Sequence, residues 1–159
     1  MLNAVFAVAD NGAFGNKGSL PWPHIPEDLK LFKQLTENTT LVMGRYTYES
    51  LPIKPTSSRP FIILSTSDIQ VTKYLSTCSS FESLLTRNGN YTIIGGASLL
   101  TPEVLKHCTN IYVSCIEGNY NHDVALSTRT QLWLKNMPSE TLVWVKDKFT
   151  CKRYQIERK

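Results

Sequence analysis

The sequence predicts an α/β fold: a central mixed, mostly parallel β-sheet flanked by helices and finished by a C-terminal antiparallel hairpin. Three observations lead there. Short continuous apolar runs, Val5 to Ala9, Leu41 to Met43, Phe61 to Leu64 and Tyr91 to Ile94, are each bounded by Gly, Pro, Asn or Ser, and runs apolar on both faces suit central strands covered from both sides. Helical stretches alternate with these runs, which favours parallel pairs joined by crossovers. After Thr109 the pattern changes to extended segments separated by polar loops.

In chain order, Met1 to Ala9 lacks a positively charged leader and runs into Asp10-Asn11-Gly12, so it is expected to be a first strand and not a signal peptide. The loop from Asp10 to His24 carries Gly12, Gly15 and Gly18 before the stiff Leu20-Pro21-Trp22-Pro23. It is long for a structureless connection, and it reads either as a lid or as a packed surface loop. Pro26 pre-sets the first turn of a helix from Glu27 to about Glu37, and the acids Glu27 and Asp28 complement the positive end of its dipole. A second helix is expected from Tyr46 to Leu51, a strand from Pro60 to Leu64, and a helix from Phe81 to about Arg87. One or two helical turns from Ala97 to Lys106, interrupted by Pro102, should follow the strand Tyr91 to Ile94. Ile111 to Ile116 reads as a strand, and Leu142 to Phe149 with Cys151 to Glu157 as the closing hairpin.

A length of 159 residues, 42% hydrophobic and 19% charged, bounds the chain to one domain, residues 1–159, with an ordinary core. Cys78, Cys108, Cys115 and Cys151 form no C-x-x-C pair, and His24, His107 and His122 stand at no ligand spacing to them. Buried thiols in a reducing cytoplasm are therefore expected, with no metal site. The net charge is +4. The C-terminal bases Lys146, Lys148, Lys152, Arg153, Arg158 and Lys159 are interleaved with strand-like apolar positions and read as solvated strand faces. No nucleic-acid partner is expected. No apolar run approaches membrane-spanning length, so no membrane partner is expected either.

Asp28 is the residue that most invites chemistry. On a helix it shares a face with Phe32, four residues on, and Leu35 continues the stripe. A carboxyl held among Leu29, Phe32 and Trp22 is poorly solvated, which disfavours its charged form and raises its pKa. The plainer reading is a helix-start carboxylate that stabilises the dipole. Met43-Gly44-Arg45-Tyr46-Thr47 lies where a strand turns into a helix, suiting either a phosphate held by backbone N–H groups, Arg45 and Thr47, or a simple turn with an exposed arginine. Ile93-Ile94-Gly95-Gly96-Ala97 repeats that geometry with two residues lacking side chains, so that a pyrophosphate or nicotinamide could approach closely. It is not the G-x-G-x-x-G fingerprint. Arg59 could offer a planar fork to a carboxylate, and Ser65 and Thr66 hydroxyls to a phosphate.

Taken together, Ala7 in the first strand, the Gly15 loop into Leu20-Pro21-Trp22, the helix bearing Asp28, the Met43-to-Ser50 block, the Arg59-to-Ser65 segment and Ile94-Gly95-Gly96 resemble the dihydrofolate reductase family in order and spacing. The resemblance is dense up to Ile63 and thins after Gly96. It implies a dihydrofolate-reductase-like fold and NADPH-dependent reduction of 7,8-dihydrofolate to tetrahydrofolate, by hydride transfer to C6 and protonation at N5. By that resemblance Asp28 hydrogen-bonds the pterin, Ser114 stands where the family usually has threonine and supports the acid, and the N5 proton comes from water near Leu20 and Trp22. Val5, Phe6, Ala7, Leu29, Phe32, Leu51 and Ile94 would contact substrate, with Arg59 on its glutamate α-carboxylate. The cofactor would meet Ala7, Phe14, Gly15, Gly18, Ser19 and Leu20 from the first strand and loop. Gly44, Arg45, Tyr46 and Thr47, then Leu64, Ser65 and Thr66, would hold it along the phosphates. Ile94, Gly95, Gly96, Ala97, Ser98 and Leu99 would face it elsewhere, and Gly95 and Gly96 are often joined by a cis peptide in this family.

The resemblance further implies a cytoplasmic monomer open to antifolate inhibitors. The chain departs from the family at several points. One extra residue lies within Pro23-His24-Ile25-Pro26, Leu100 replaces a common tyrosine, and Ser98 replaces a base that some members place near the cofactor 2′-phosphate. The segment Leu51 to Ser58 lacks the usual Gly-Arg ending, and Asp123-Val124-Ala125-Leu126 keeps only the aspartate of a mobile-loop motif. The alternatives are another pteridine or pyrimidine reductase of the same fold, and a non-catalytic folate- or nucleotide-binding protein.

Overall fold

The computed structural model describes residues 1–66 and 69–156. Its strands, in chain order, are β1 (Leu2–Ala9), β2 (Ala13–Gly15), β3 (Thr40–Gly44), β4 (Phe61–Leu64), β5 (Leu75–Cys78), β6 (Tyr91–Gly95), β7 (Asn110–Ile116), β8 (Val124–Ala125), β9 (Glu140–Val145) and β10 (Phe149–Gln155). The helices are α1 (Pro26–Thr36), α2 (Arg45–Ser50), α3 (Phe81–Leu85), α4 (Pro102–Leu105) and α5 (Thr128–Lys135). Eight strands form one sheet in the order β5-β4-β3-β6-β1-β7-β10-β9, and β2 pairs with β8 apart from it. The pairs from β5 through β7 are parallel, and β10 runs antiparallel to both β7 and β9. This is the mixed, mostly parallel sheet with a C-terminal antiparallel pair that the apolar runs imply.

Alternation along the strands gives the sheet two faces. On one, Ala4 and Phe6 of β1, Val42, Ile62, Ile93, Ile111 and Val113 pack with Phe81 and Leu84 of α3, Leu105 of α4 and Leu134 of α5. The other face divides into two patches. Leu41, Met43, Phe61, Ile63 and Ile94 form one, joined by Phe32 of α1 and Tyr48 of α2. Ala9, Ile116, Phe149 and Cys151 form the second, joined by Trp22 and by Leu31 and Leu35 of α1. The helix α1 therefore covers both, and its apolar stripe is wider than the Asp28–Phe32–Leu35 line: Phe32 leans to one patch while Leu35 leans to the other.

Several boundaries differ from expectation. Phe149 opens β10 instead of closing β9, because the chain reverses at 146–148, where Asp147 adopts φ 63°. The expected end of that strand at Glu157, with Arg158 and Lys159, lies outside the described residues. No helix begins at Ala97. Residues 97–99 form a turn in which Leu99 and Leu100 N–H donate to Gly96 O, and α4 starts at Pro102 behind an N-cap in which Thr101 accepts from Val104 N–H. A proline at the first helical position explains the delay. The helix α5 and strands β2, β5 and β8 were not legible as elements, being short or weakly periodic; α5 is set by Ser127, whose hydroxyl caps Thr130 N–H.

Candidate functional site

Asp28 lies in the first turn of α1, its N–H donating to Ile25 O at 3.1 Å. The register of β1 and β7 sets Ala7 beside Ser114, and the Ser114 hydroxyl donates to Asp28 Oδ1 at 2.6 Å. Burial pushes the Asp28 carboxyl above its ordinary value, and this hydrogen bond pulls it partly back. Desolvation wins, as the apolar neighbours of the sequence imply. Beneath the pair, Cys151 of β10 stands directly opposite Ser114 and is 1% exposed.

Trp22 is buried at 5% exposure, whereas Leu20, two residues before it, is 57% exposed. The indole meets the edge of Tyr120 with ring centroids 6.1 Å apart, so the end of the long loop is anchored. The loop itself is partly ordered. Asn16 and Ser19 exchange backbone hydrogen bonds of 2.8 and 3.0 Å around Lys17 (φ 50°) and Gly18 (φ 79°). Asp123 ties this turn down, its N–H donating to Gly15 O at 3.1 Å and its carboxylate accepting from Lys17 N–H at 3.0 Å.

Because the strands are parallel, their carboxyl ends lie along one edge. Gly44 is level with Leu64, and Met43 with Gly95, an irregularity that leaves Ile94 unpaired with β3. Gly95 and Gly96 are joined by a cis peptide bond. A Cβ at Gly95 would stand 3.2 Å from Thr47 Oγ1 and one at Gly96 3.1 Å from it, while nothing lies within 4 Å at Gly44. Close backbone approach with an open margin is what a dinucleotide needs, so these residues fit the cofactor the resemblance implies. Arg45 is engaged by Glu49, Nε to Oε1 2.8 Å, with both side chains more than half exposed. Tyr46, Thr66 and Ser98 are exposed, and Ser65 N–H donates to Cys78 O at 3.0 Å.

Arg59 is not a solvated surface arginine. Its side chain is only 14% exposed and donates to Thr36 Oγ1 and Lys33 O, each at 3.0 Å, and to Glu37 Oε2 at 3.4 Å. Those are groups at the C-terminal end of α1. The structure thus brings Asp28, Ser114, Ala7, Phe32, Leu51, Ile94 and the Gly44-to-Thr47 and Gly95–Gly96 turns to one side of the sheet. Phe6 is the exception: expected to share a pocket with Leu51 and Ile94, its side chain packs on the opposite face with Val42, Ile93 and Leu100, because it precedes Ala7 on a strand. Thr36, Glu37 and Cys151 stand beside these residues although the sequence pointed to none of them, because each depends on tertiary register; Asp123, the retained aspartate of the mobile-loop motif, is tied to Gly15 and Lys17. None of the four cysteines is joined in a disulfide; three are buried and Cys115 is half-buried.

A dihydrofolate reductase family model matches residues 1–158. Among curated proteins, the chain is similar to the type A10 dihydrofolate reductase of Escherichia coli, 33% identical over 146 residues that cover 85% of this chain and 78% of that one. It is also 34% identical to a Staphylococcus aureus dihydrofolate reductase over 109 residues, covering 69% and 67%. Among solved structures, the dihydrofolate reductase of Enterococcus faecalis complexed with NADP(H) and RAB-propyl superposes with a TM-score of 0.79 at 27% identity, covering 98% of this chain and 95% of that one.

Proposed function

Because the chain belongs to the dihydrofolate reductase family, we propose how its own residues divide the work of that family's reaction. The protein is an NADPH-dependent oxidoreductase that reduces 7,8-dihydrofolate to 5,6,7,8-tetrahydrofolate, the carrier of one-carbon units for thymidylate and nucleotide synthesis. Bound NADPH supplies the hydride that reaches C6 of the pterin.

Asp28 receives the pterin through hydrogen bonds and holds its protonation state, while N5 takes its proton from water admitted beside Leu20 and Trp22. Support comes from the contrast between those two residues: Trp22 is a fixed wall and Leu20 an exposed neighbour. Leu29 and Phe32 pack on the ring system, Leu51 and Ile94 line the same patch, and Val5 and Ala7 contribute from β1. Arg59, already oriented by Thr36 and Lys33 O, receives the glutamate α-carboxylate through its planar fork.

On the cofactor side, Gly44, Arg45, Tyr46, Thr47, Leu64, Ser65 and Thr66 hold the phosphate end. Gly95, Gly96 and the turn Ala97-Ser98-Leu99 receive the remainder, under the loop from Phe14 through Gly15, Gly18 and Ser19 to Leu20. The finer reading is a monomeric, single-domain enzyme, residues 1–159, working in the cytoplasm without nucleic-acid partners and inhibited by antifolates. It is supported by the absence of disulfides among the described cysteines. Among the described residues no helix is long and apolar enough to cross a membrane.

The observation that carries the mechanism is the 2.6 Å hydrogen bond from Ser114 to a carboxyl that burial has made less acidic. Its test is the initial rate of NADPH absorbance loss with dihydrofolate, beside NADH and Asp28→Asn controls. Turnover that depends on Asp28 sustains the assignment; turnover undiminished in Asp28→Asn overturns it, and NADPH binding without turnover selects a non-catalytic binding protein.

A further inference from the structure

Arg59 is held at both ends. Its backbone closes the turn 56–59, with Thr56 N–H donating to Arg59 O at 3.1 Å and Arg59 N–H to Thr56 O at 3.2 Å. Its head meets the last turn of α1, where the buried Thr36 hydroxyl donates to Phe32 O at 2.8 Å and so leaves its oxygen free to accept from Arg59 Nε. A guanidinium carries five N–H donors in a rigid fork. One edge of that fork, Nε with one hydrogen of Nη2, is engaged by Thr36 Oγ1 and Lys33 O. A carboxylate that binds through two parallel hydrogen bonds is left the other edge, made of Nη1 and the second hydrogen of Nη2. Nη2 already has a second acceptor, Glu37 Oε2 at 3.4 Å.

We propose that Glu37 is a specificity-determining residue for the substrate's acidic tail: its carboxylate occupies the edge of Arg59 that a substrate carboxylate needs, so a tailed substrate binds there only by displacing it. The inference rests on the reading of Arg59 as the clamp of the glutamate α-carboxylate. Glu37 then acts as a brake on the preference for a tailed substrate over a pterin that carries no tail, because only the tailed one has to open the pair.

The two partners are unequal, and that decides which one moves. The Arg59 side chain is 14% exposed and that of Glu37 is 57% exposed. Glu37 is the residue at which α1 ends, so water can take up its carboxylate when it swings away, whereas the guanidinium stays fastened to the helix end. Among the described residues Glu37 is the one acid paired with Arg59. A pair of this kind is weak. Closed about two thirds of the time, it leaves Arg59 open about one third of the time, which weakens the binding of a carboxylate about threefold.

The test is the KM for dihydrofolate and for a dihydropterin lacking the benzoylglutamate tail, measured in the wild type, Glu37→Gln, Arg59→Leu and the double variant. In Glu37→Gln the KM of the tail-less pterin divided by that of dihydrofolate should rise about threefold, through a lower KM for dihydrofolate. Glu37→Ala, which removes the acceptor altogether, should move the ratio in the same direction. In the Arg59→Leu background the substitution should leave the ratio where Arg59→Leu alone puts it, since Glu37 acts through the guanidinium. A carboxylate that orients Arg59 instead of competing for it gives the opposite sign, a higher KM for dihydrofolate. A fall in the ratio, an unchanged ratio, or a threefold rise that persists without Arg59, as a general effect of removing negative charge would give, overturns the inference. The two readings fail separately. If Arg59→Leu weakens both substrates equally, the clamp is wrong and Glu37 falls with it; if Arg59→Leu selects against the tailed substrate while Glu37→Gln changes nothing, the clamp stands and only the role of Glu37 is lost.

Discussion

The two halves of one sheet face solve their tasks differently. Around β1, β7 and β10 the polar groups are already paired, a buried Ser114 on a half-buried Asp28 at 2.6 Å, with the buried Cys151 opposite Ser114 and Trp22 buried nearby. Around the carboxyl ends of β3, β4 and β6, Arg45, Tyr46, Thr66 and Ser98 are exposed, and Arg45 is occupied by Glu49 on its own helix. The acid half is preorganised, as a group must be if its protonation state is to be set before substrate arrives. On the proposed reading, the other half is an anion-receiving surface whose Arg45 would have to leave Glu49 to take up a phosphate.

Breaking the acid half should have the largest effect. Asp28→Asn should lower kcat/KM at pH 7 by about 10²- to 10³-fold while leaving NADPH affinity, measured by fluorescence titration, within about twofold. The same substitution should raise Tm at pH 7 by about 2 °C, a strained site being relieved when its function is removed. The sign follows from the raised carboxyl pKa. The unfolded chain ionises Asp28 at lower pH than the native chain, so ionisation costs native stability as pH rises above the unfolded value, and fully so above the native one. The gain from asparagine should therefore shrink toward zero as thermal melts are taken to more acidic pH.

Arg59→Leu comes next. Loss of a charge-assisted pair should raise KM for dihydrofolate by about 50-fold and leave a pterin without the glutamate tail nearly unaffected; equal losses for both would refute the carboxylate role. On the phosphate half, Arg45→Ala should weaken NADPH by about tenfold, with a salt dependence that the wild type shows and the variant loses. Glu49→Ala should do the reverse, tightening NADPH by about twofold in the same titration, because an exposed pair is weak and its release little opposed. If Glu49→Ala weakened NADPH instead, the pair would be orienting Arg45 and both halves would be preorganised.

How much of this was legible without coordinates follows the range of the forces involved. The strands announced themselves because Leu41-Val42-Met43 or Phe61-Ile62-Ile63-Leu64 is buried on both faces, and the start of α1 because Pro26, Glu27 and Asp28 act within a single turn. The raised pKa of Asp28 was readable for the same reason. What escaped depended on pairing at a distance. Cys151 meets Ser114 only through the β7–β10 register, and Thr36 reaches Arg59 only after β3 and β4 are laid side by side. The Asp123 tie to Lys17 spans 106 positions. At Ala97 the chain turns instead of starting a helix for a local reason: Thr101 and Pro102 carry a start signal stronger than the glycines before them.

The grip of Arg59 on the end of α1 bears on how this chain would drift over generations. A side chain that holds a strand lead-in to a helix is kept by selection for folding whether or not a substrate ever occupies the site. A descendant that had abandoned catalysis would retain its arginine and lose Asp28 first, once the relief of burying no carboxyl was no longer opposed by any use for one. On the role proposed for Asp28, the arginine is therefore a poor marker of living activity, and the carboxylate, which folding alone would discard, the better one.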